Sequence, residues 1–295
     1  MPTTPEFLVA ESLDQAVSAL QEYGDDATVV AGSTAVTIMI QQGLIEPRAI
    51  VSIGRIPGLR GIERDGDQVV LGALTTHREV ELDPLVLQTL PVLSHTFSVV
   101  ANVRVRNAAT VGGVVAEADY ASDPPAMLRA LDAEVDVSGP EGERTIPIAD
   151  FLLGFYETAL DPSEIVTRVR VPLLPDGSGS VYEKFTTRSS EDRPCIGVAA
   201  IARFEADGAT CADLRVAVGA AAEVPQRFID VEQTARGRGI DETFAAEIAA
   251  QYAERIDPLS DMRGSEWYRR EMIHVWVRRA ILGAADAARP ATVAS

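Results

Sequence analysis

The sequence predicts an α+β protein with about two domains. Its 295 residues correspond to about two domains at roughly 150 residues per domain. The first fifty residues alternate patterns typical of helices and strands. Three successive strand patterns lie within residues 181–221, and a helical pattern follows from about 241 to 287. Strands and helices grouped in this way are typical of α+β proteins.

The first fifty residues predict a small unit of alternating strands and helices. Ser12 and Gln15 fit a capping box that begins the first helix. Two short apolar runs follow, and the segment between them has a helical pattern. Strands joined through a helix are expected to be parallel. In order, the elements are a helix closed by Gly24, a strand over 27–31, a turn at Gly32-Ser33, a helix over 34–42 and a strand over 49–53.

The middle of the chain predicts hairpins and further helices. Asp-Gly pairs and Gly-rich turns between alternating runs are typical of hairpins. Asp123 followed by Pro124 is typical of a helix start, with Asp123 as N-cap. The remaining elements are a hairpin over 61–73 with its turn at Asp65-Gly66, helical material over 75–100, a hairpin over 134–148 and a strand over 165–171.

A linker rich in Pro, Gly and Ser at residues 172–180 predicts the domain boundary. The predicted organisation is a first domain over 1–176, with subdomains of about 1–56 and 57–176, a C-terminal domain over 177–287 with antiparallel strands, and a disordered tail over 288–295.

Composition excludes several classes of protein. With 26 Lys and Arg against 44 Asp and Glu, the net charge is −18, which argues against a protein that binds a nucleic-acid backbone. No apolar run reaches about 18 residues, so no membrane span is expected. The polar N-terminus does not resemble a signal peptide, and we expect a cytoplasmic protein. The two cysteines form no CxxC, and the three histidines lack ligand spacing, so no metal centre is expected on this chain.

The segment VVAGSTA, residues 29–35, leads from a strand through Gly32 and Ser33 into a helix. Unpaired N–H groups at such a turn suit a phosphate, and the hydroxyls of Ser33 and Thr34 are further donors. A plain connecting turn uses the same residue types, so the segment by itself leaves both interpretations open.

The segment NAATVGGVVA, residues 107–116, is a second loop of small residues and contains Thr110, Gly112 and Gly113. The alternative is a glycine bulge in a strand. The two loops could face one pyrophosphate from two sides, but their spacing does not establish this.

The second loop lies in a longer run that resembles a known family. The run ANVRVRNAATVGGVVAEADYASDPPAMLRALDAEV is similar to the central block of the FAD-binding (medium) subunit of molybdenum hydroxylases, which corresponds to the flavin domain of xanthine dehydrogenase. The resemblance covers nearly the whole chain in order, including VVAGSTA and the C-terminal DMRGSEWYRREMIHVWVRRAI. The matching residues of the central block are Arg106, Asn107, Thr110, Gly112, Gly113, Ser122 and Asp123.

The resemblance implies a vanillyl-alcohol-oxidase/PCMH-type FAD-binding domain of two subdomains, followed by a domain of antiparallel strands and helices. It implies FAD with its diphosphate between the loops at 31–35 and 110–114. The residues implied in cofactor binding are Ala31, Gly32, Ser33, Thr34, Ala35, Thr110, Gly112, Gly113, Val114, Asp123 and Lys184. Backbone N–H groups of Gly32, Ser33, Thr34, Gly112 and Gly113 would contribute most to binding the diphosphate, because oriented peptide dipoles can hold an anion on an acidic protein.

Three side chains have two interpretations each. By similarity Asp123 binds the adenosine or ribityl part of FAD, and otherwise it caps a helix. Lys184 matches a family lysine near the flavin, where a cation stabilises the reduced, anionic ring, and otherwise it is an exposed strand lysine. Arg193 stands where the family places an apolar or aromatic residue beside the isoalloxazine; it could stack on the ring or tune access for the final acceptor.

Two loop positions depart from the family. The first loop usually has a second Gly and a polar residue after Thr, but Ser33 and Ala35 stand there. Val114 replaces a common Asn or Asp. Both changes remove side-chain contacts to FAD and leave the backbone cradle intact, so we expect FAD to bind.

The resemblance implies an electron-transfer oxidoreductase subunit. It would take electrons from 2Fe–2S clusters of a small partner subunit and pass them from FAD to a terminal acceptor, and a large partner subunit would hold molybdopterin. A dimer of heterotrimers is expected. The alternatives are a structural subunit that has lost FAD and a free-standing flavin reductase of the same fold group.

Overall fold

The computed structural model describes residues 4–289. Its helices are α1 Leu13–Tyr23, α2 Val36–Gln41, α3 His77–Leu82, α4 Pro84–Thr89, α5 Pro91–Ser98, α6 Val103–Arg106, α7 Val111–Glu117, α8 Pro124–Ala130, α9 Ile148–Phe151, α10 Ile229–Gln233, α11 Glu242–Arg255 and α12 Glu266–Ala288. Its strands are β1 Glu6–Val9, β2 Ala27–Val30, β3 Ala49–Ser52, β4 Ile62–Asp65, β5 Gln68–Gly72, β6 Glu134–Gly139, β7 Gly142–Pro147, β8 Leu152–Gly154, β9 Glu157–Thr158, β10 Ile165–Pro172, β11 Ser178–Phe185, β12 Ile196–Phe204 and β13 Cys211–Gly219.

The chain divides into two units, and neither is a continuous stretch of sequence. The first unit takes the chain up to Thr89 together with Asn102–Ala118 and Asp132–Pro172. The second takes Leu90–Ala101, Asp119–Leu131 and the chain from Leu173 onward. The helices and antiparallel strands of both units make an α+β protein, as predicted.

The first unit contains a parallel and an antiparallel sheet. Strands β1, β3 and β2 form the parallel sheet in that order, so the parallel pairing predicted for the strands at 27–31 and 49–53 is confirmed. The antiparallel sheet has the order β4-β5-β10-β6-β7. Val69, Leu71, Val135, Val137 and Val169 lie fully buried on these strands.

Local signals at the start of the chain produce the predicted elements. The Ser12 hydroxyl accepts the N–H of Gln15 and begins α1, which Gly24 closes with φ +52°. Helix α2 is shorter than the predicted 34–42, because residues 31–35 form a loop of bends and turns before it. The first hairpin turns at Gly66-Asp67, one residue beyond the predicted Asp65-Gly66, since Asp65 already pairs with Gln68.

The second unit packs helices on a three-stranded antiparallel sheet. The order β11-β12-β13 confirms the predicted antiparallel strands, although β11 begins at Ser178, inside the predicted linker. Helix α12 packs against β11 and β12, and α8 against β12 and β13. The core includes Val198, Val216, Ile248, Val277 and Ile281, all fully buried.

The C-terminal helical pattern is two helices. Asp241 caps α11 by accepting the N–H of Phe244 at 2.8 Å, as predicted, and residues 256–265 separate α11 from α12. Helix α12 runs to Ala288, the first residue of the predicted disordered tail. Residues 290–295 of that tail lie outside the described residues.

Candidate cofactor-binding site

The loop after β2 presents consecutive N–H groups. Within the described chain the structure shows no acceptor for the backbone N–H groups of residues 32–35. Ser33 has φ +58°, a left-handed conformation that is uncommon outside glycine. Successive N–H groups around such a residue form a concave site for an anion. The family's glycine is absent here, but the backbone takes a conformation that glycine favours.

Gly32 brings this loop against the second one. A Cβ atom built on Gly32 would lie 1.8 Å from the carbonyl oxygen of Ala108. Only glycine therefore permits this approach without moving the backbone. Residues 31–35, all half-buried, and residues 108–109 are thus neighbours within the first unit.

The second loop is the beginning of a helix, so its interpretation as a glycine bulge is wrong. The buried Thr110 caps α7, and its hydroxyl accepts the N–H of Gly113 at 3.1 Å. The N–H of Gly112 donates to the carbonyl of Ala73 at 2.9 Å, and a Cβ on Gly112 would lie 2.6 Å from that of Ala73. The N–H groups of Gly112 and Gly113 therefore already have acceptors, and Val114 is buried. Among the described residues, the N–H groups of residues 32–35 therefore have no acceptor, whereas those of Gly112 and Gly113 do.

His77 contacts the second loop at Thr110, a role that the sequence analysis missed. Its ring is 1% exposed, and Nε2 lies 3.3 Å from the carbonyl oxygen of Thr110. Burial lowers the pKa of His77 to about 4, because an apolar environment disfavours the charged form. A capping box at Thr76 and Glu79 begins helix α3 at this point, and that pattern was readable in the sequence.

In the second unit, Asp123 and Lys184 form a buried ion pair. Their atoms Oδ2 and Nζ are 2.9 Å apart, and the side chains are 4% and 8% exposed. Tyr182 donates its hydroxyl to Oδ1 of Asp123 at 2.9 Å, and Lys184 also donates to the carbonyl of Val99 at 2.7 Å. Burial raises the pKa of Asp123 to about 6, although Lys184 and Tyr182 counteract it.

This geometry removes the alternative interpretations of two residues. Asp123 is at the N-cap position of α8, but its side chain makes no capping bond, because both oxygens face β11. Lys184 is a buried strand residue rather than an exposed one. The structure brings the two predicted residues together and adds Tyr182, which lies two residues from Lys184 and so on the same face of the strand.

Arg193 pairs with a carboxylate close to Asp123 in the sequence. Its guanidinium lies 2.6 Å from Oδ2 of Asp119, whose side chain is 1% exposed, whereas that of Arg193 is 54% exposed. The other oxygen of Asp119 accepts the N–H of Ala121 at 3.0 Å. The stacking of Arg193 on a flavin stays a prediction. In this structure the guanidinium of Arg193 forms an ion pair with Asp119.

These residues suit FAD. The N–H groups of residues 32–35 and the hydroxyls of Ser33 and Thr34 are donors for a diphosphate, and residues 31–35 carry no acidic side chain that would repel it. Asp123 retains acceptor capacity for sugar or ribityl hydroxyls, since each oxygen has one protein partner.

Two further properties concern metals and membranes. Among residues 4–289 no group of three or more His, Cys, Asp or Glu side chains is arranged to hold a metal ion. No helix in the same range is long and apolar enough to cross a membrane.

Comparison with known proteins assigns the family. A model described as the FAD binding domain in molybdopterin dehydrogenase matches residues 3–174, and one described as the CO dehydrogenase flavoprotein C-terminal domain matches residues 180–284. Together the two matches span most of the chain.

Similar proteins are subunits of larger oxidoreductases. The chain is 31% identical to the 6-hydroxypseudooxynicotine dehydrogenase complex subunit alpha of Paenarthrobacter nicotinovorans, over 98% of this chain and 97% of that protein. It is 33% identical to the carbon monoxide dehydrogenase medium chain of Hydrogenophaga pseudoflava, over 95% and 97%. A solved structure of the latter enzyme, lacking the Mo-pyranopterin moiety of its cofactor, matches with a TM-score of 0.93 at 32% identity, covering 98% of this chain and 100% of that one. The predicted resemblance is confirmed: this oxidoreductase chain belongs to the FAD-binding medium subunits of the molybdenum hydroxylase family, together with the carbon monoxide dehydrogenase medium chain and the xanthine dehydrogenase FAD-binding subunit.

Proposed function

We propose that this chain is the FAD-carrying electron-transfer subunit of a molybdenum-containing dehydrogenase. The observation that carries the proposal is the loop at residues 32–35, whose N–H groups have no acceptor in the described chain and whose Ser33 is left-handed. Residues with an unfavourable backbone conformation cluster at functional sites, where the surrounding structure maintains them. The same observation disfavours a structural subunit that has lost FAD, because the cradle is retained where the family's glycine is not.

The chain's residues bind and orient the cofactor. The N–H groups of residues 32–35 would hold the diphosphate, with the hydroxyls of Ser33 and Thr34 as further donors. Asp123 would accept hydrogen bonds from hydroxyls of the adenosine or ribityl part, and Lys184 would supply a positive charge that stabilises the reduced ring. Bound FAD supplies two-electron storage between one-electron donors and a terminal acceptor.

The proposal includes two kinds of partner. A small subunit holds the 2Fe–2S clusters that deliver electrons, and a large subunit holds molybdopterin and oxidises the substrate. The printed names of relatives, a dehydrogenase complex subunit alpha and medium chains, support a place in such an assembly, for which we propose a dimer of heterotrimers. The chain has only two cysteines, too few for the four thiolates that one 2Fe–2S cluster requires.

Co-expression tests this function. The chain is purified alone and together with candidate small and large subunits encoded with it, and flavin, iron and molybdenum are quantified in each sample. We expect FAD in equimolar amount to this chain, iron only when the small subunit is present, and bleaching of the flavin band by a dithionite-reduced small subunit.

Two results would contradict the proposal. A complex that assembles without flavin would establish a structural subunit. An isolated chain that oxidises NADH or NADPH and reduces a small substrate at enzymatic rates, with no partner present, would establish a free-standing flavin reductase. The rate of electron transfer to the terminal acceptor is compared in complexes that carry Lys184→Met or the exposed-site control Arg64→Met. A loss of rate only in Lys184→Met separates an effect at the site from a general loss of positive charge.

A further inference from the structure

A fully buried guanidinium lies at the start of α12 in the second unit. Arg269 is 0% exposed and donates to three other segments of that unit. Its Nη1 donates to the carbonyl of Cys195 at 2.6 Å and to that of Ala220, and its Nη2 pairs with the carboxylate of Asp261. Five donors in a rigid plane make Arg the residue that serves several acceptors at once.

Tyr120 joins this network through both its side chain and its backbone. Its hydroxyl donates to Oδ2 of Asp261 at 2.8 Å, and its carbonyl accepts the N–H of Ala220 at 3.1 Å. Ala220 has φ +61°, and its own carbonyl is bound by Arg269. The bonds therefore close a ring through Arg269, Asp261, Tyr120 and Ala220.

Two residues bound in this network, Tyr120 and Cys195, lie close in sequence to the ion pairs of the candidate site. Tyr120 directly follows Asp119 and precedes Asp123 by three residues. Cys195 follows Arg193 by two residues, and its N–H donates to the carbonyl of Phe185 at 2.7 Å, next to Lys184. Arg269 thus binds the backbone near Arg193 directly, at Cys195, and reaches the segment of Asp119 and Asp123 through Asp261, Ala220 and Tyr120.

A network of this kind is rigid only while it is complete. A buried charge that loses its partner is strongly destabilising, and a satisfied buried polar network fixes one arrangement of its segments. Packing alone does not require a guanidinium here, because an apolar side chain of similar volume fills a core at less desolvation cost. The choice of Arg269 points to a requirement for a specific backbone arrangement.

We propose that Arg269, Asp261 and Tyr120 form a positioning network that sets the orientation of Asp123 and Lys184 toward FAD. The inference rests on the proposed function, since it assigns a purpose to the arrangement around those two side chains. None of the three network residues needs to touch the cofactor, so they are positioning residues.

The variant Tyr120→Phe tests the network, because it removes one hydroxyl and keeps the ring. Tyr252→Phe is the control: Tyr252 also lies in the second unit and is fully buried, whereas Tyr120 is half-buried. The Tyr252 hydroxyl donates to the carbonyl of Val216 at 2.8 Å and accepts the N–H of Phe228 at 3.2 Å. Each full-length variant is purified with its partners. Thermal unfolding of the protein, the dissociation constant of FAD and the visible circular dichroism of bound flavin are then measured.

We expect both variants to unfold at a lowered temperature, and Tyr252→Phe at the lower one, because it removes two hydrogen bonds of a fully buried hydroxyl. Only Tyr120→Phe should weaken FAD binding, by about three- to tenfold as for one lost hydrogen bond, and change the flavin dichroism. Arg269→Lys should weaken FAD binding and change the flavin dichroism more strongly, because an ammonium cannot bind the Cys195 and Ala220 carbonyls and Asp261 at once.

The possible failures are distinguishable. If Tyr120→Phe and Tyr252→Phe both bind FAD with wild-type affinity and dichroism, the network is only structural and the inference is wrong, while the proposed function stands. If the wild-type complex binds no FAD, the proposed function is wrong and the inference is wrong with it.

Discussion

Gly32 is the residue whose replacement should affect the candidate site most directly. In Gly32→Ala the new methyl would meet the Ala108 carbonyl at 1.8 Å, so the two loops must separate, at a cost of roughly 1–3 kcal/mol. We expect the variant to retain little FAD, measured as flavin per chain after gel filtration.

The control for this substitution is Gly54→Ala, in the same unit. A Cβ there would lie 3.8 Å from its nearest neighbour, the Ser52 hydroxyl, so both stability and flavin content should remain those of the wild type. Wild-type flavin content in Gly32→Ala would show that the close approach of the loops is not needed for binding.

His77 should make stability depend on pH. Its folded-state pKa of about 4 lies below the ordinary value of 6.5, so the unfolded chain binds the proton first as the pH falls. The stabilisation is fully present above pH 6.5, decreases as the pH falls toward 4, and amounts to at most about 3 kcal/mol.

The variant His77→Gln isolates this effect, since an amide can still donate to the Thr110 carbonyl but does not titrate. Urea unfolding between pH 4 and pH 7.5 should give a flatter profile for His77→Gln than for the wild type. Equal slopes in His77→Gln and the wild type would contradict the assignment.

For the candidate site, the sequence predicted which residues take part better than it predicted which side chains they contact. The resemblance pointed to Gly32, Asp123 and Lys184, and the structure places Gly32 at the contact of the two loops. That Asp123 pairs with Lys184 depends on contacts across 61 residues of chain, which no local pattern encodes. The spacing of Tyr182 and Lys184 was the available signal, because alternate residues of a strand share a face.

Helix α7 depends on its cap. In Thr110→Ala the N–H of Gly113 loses its acceptor, and we expect a loss of about 1 kcal/mol in the free energy of unfolding. Thr110→Ser retains the hydroxyl and should lose clearly less. Chemical denaturation of both variants measures the difference, and equal losses would mean that the methyl group, rather than the cap, stabilises this helix.

Local sequence signals predicted well which helices and hairpins exist. The capping residue Ser12 and the Gly-rich hairpin turn of β6 and β7 lie where expected, because each is decided by neighbours in sequence. The loop at 107–116 was ambiguous, since its glycines suit a bulge as well as a helix start. Its pairing with Ala73 and Thr75 decides the matter, and that contact is distant in sequence.

At the scale of the whole molecule, the second unit should not fold from its C-terminal segment alone. Helix α8 packs on β12 and β13, and Ala126 closely approaches Gly219, so residues 177–289 would expose that face of the sheet. We expect this fragment to lack cooperative thermal unfolding, followed by circular dichroism. Adding the other two segments of the second unit, residues 90–101 and 119–131, through fusions should increase the cooperativity of unfolding. A fragment that unfolds cooperatively on its own would contradict this dependence.

The chain passes between its two units at five points, after residues 89, 101, 118, 131 and 172, whereas the two family models meet once, between 174 and 180. A recombination event at that single junction would join a foreign β11-β13 sheet to native segments 90–101 and 119–131. The exchanged parts would then need to agree at Ala126 and Gly219, and at Tyr120 and Asp261. Gene shuffling within this family is therefore constrained by packing to exchange whole chains, or to exchange these inserted segments together with the C-terminal part.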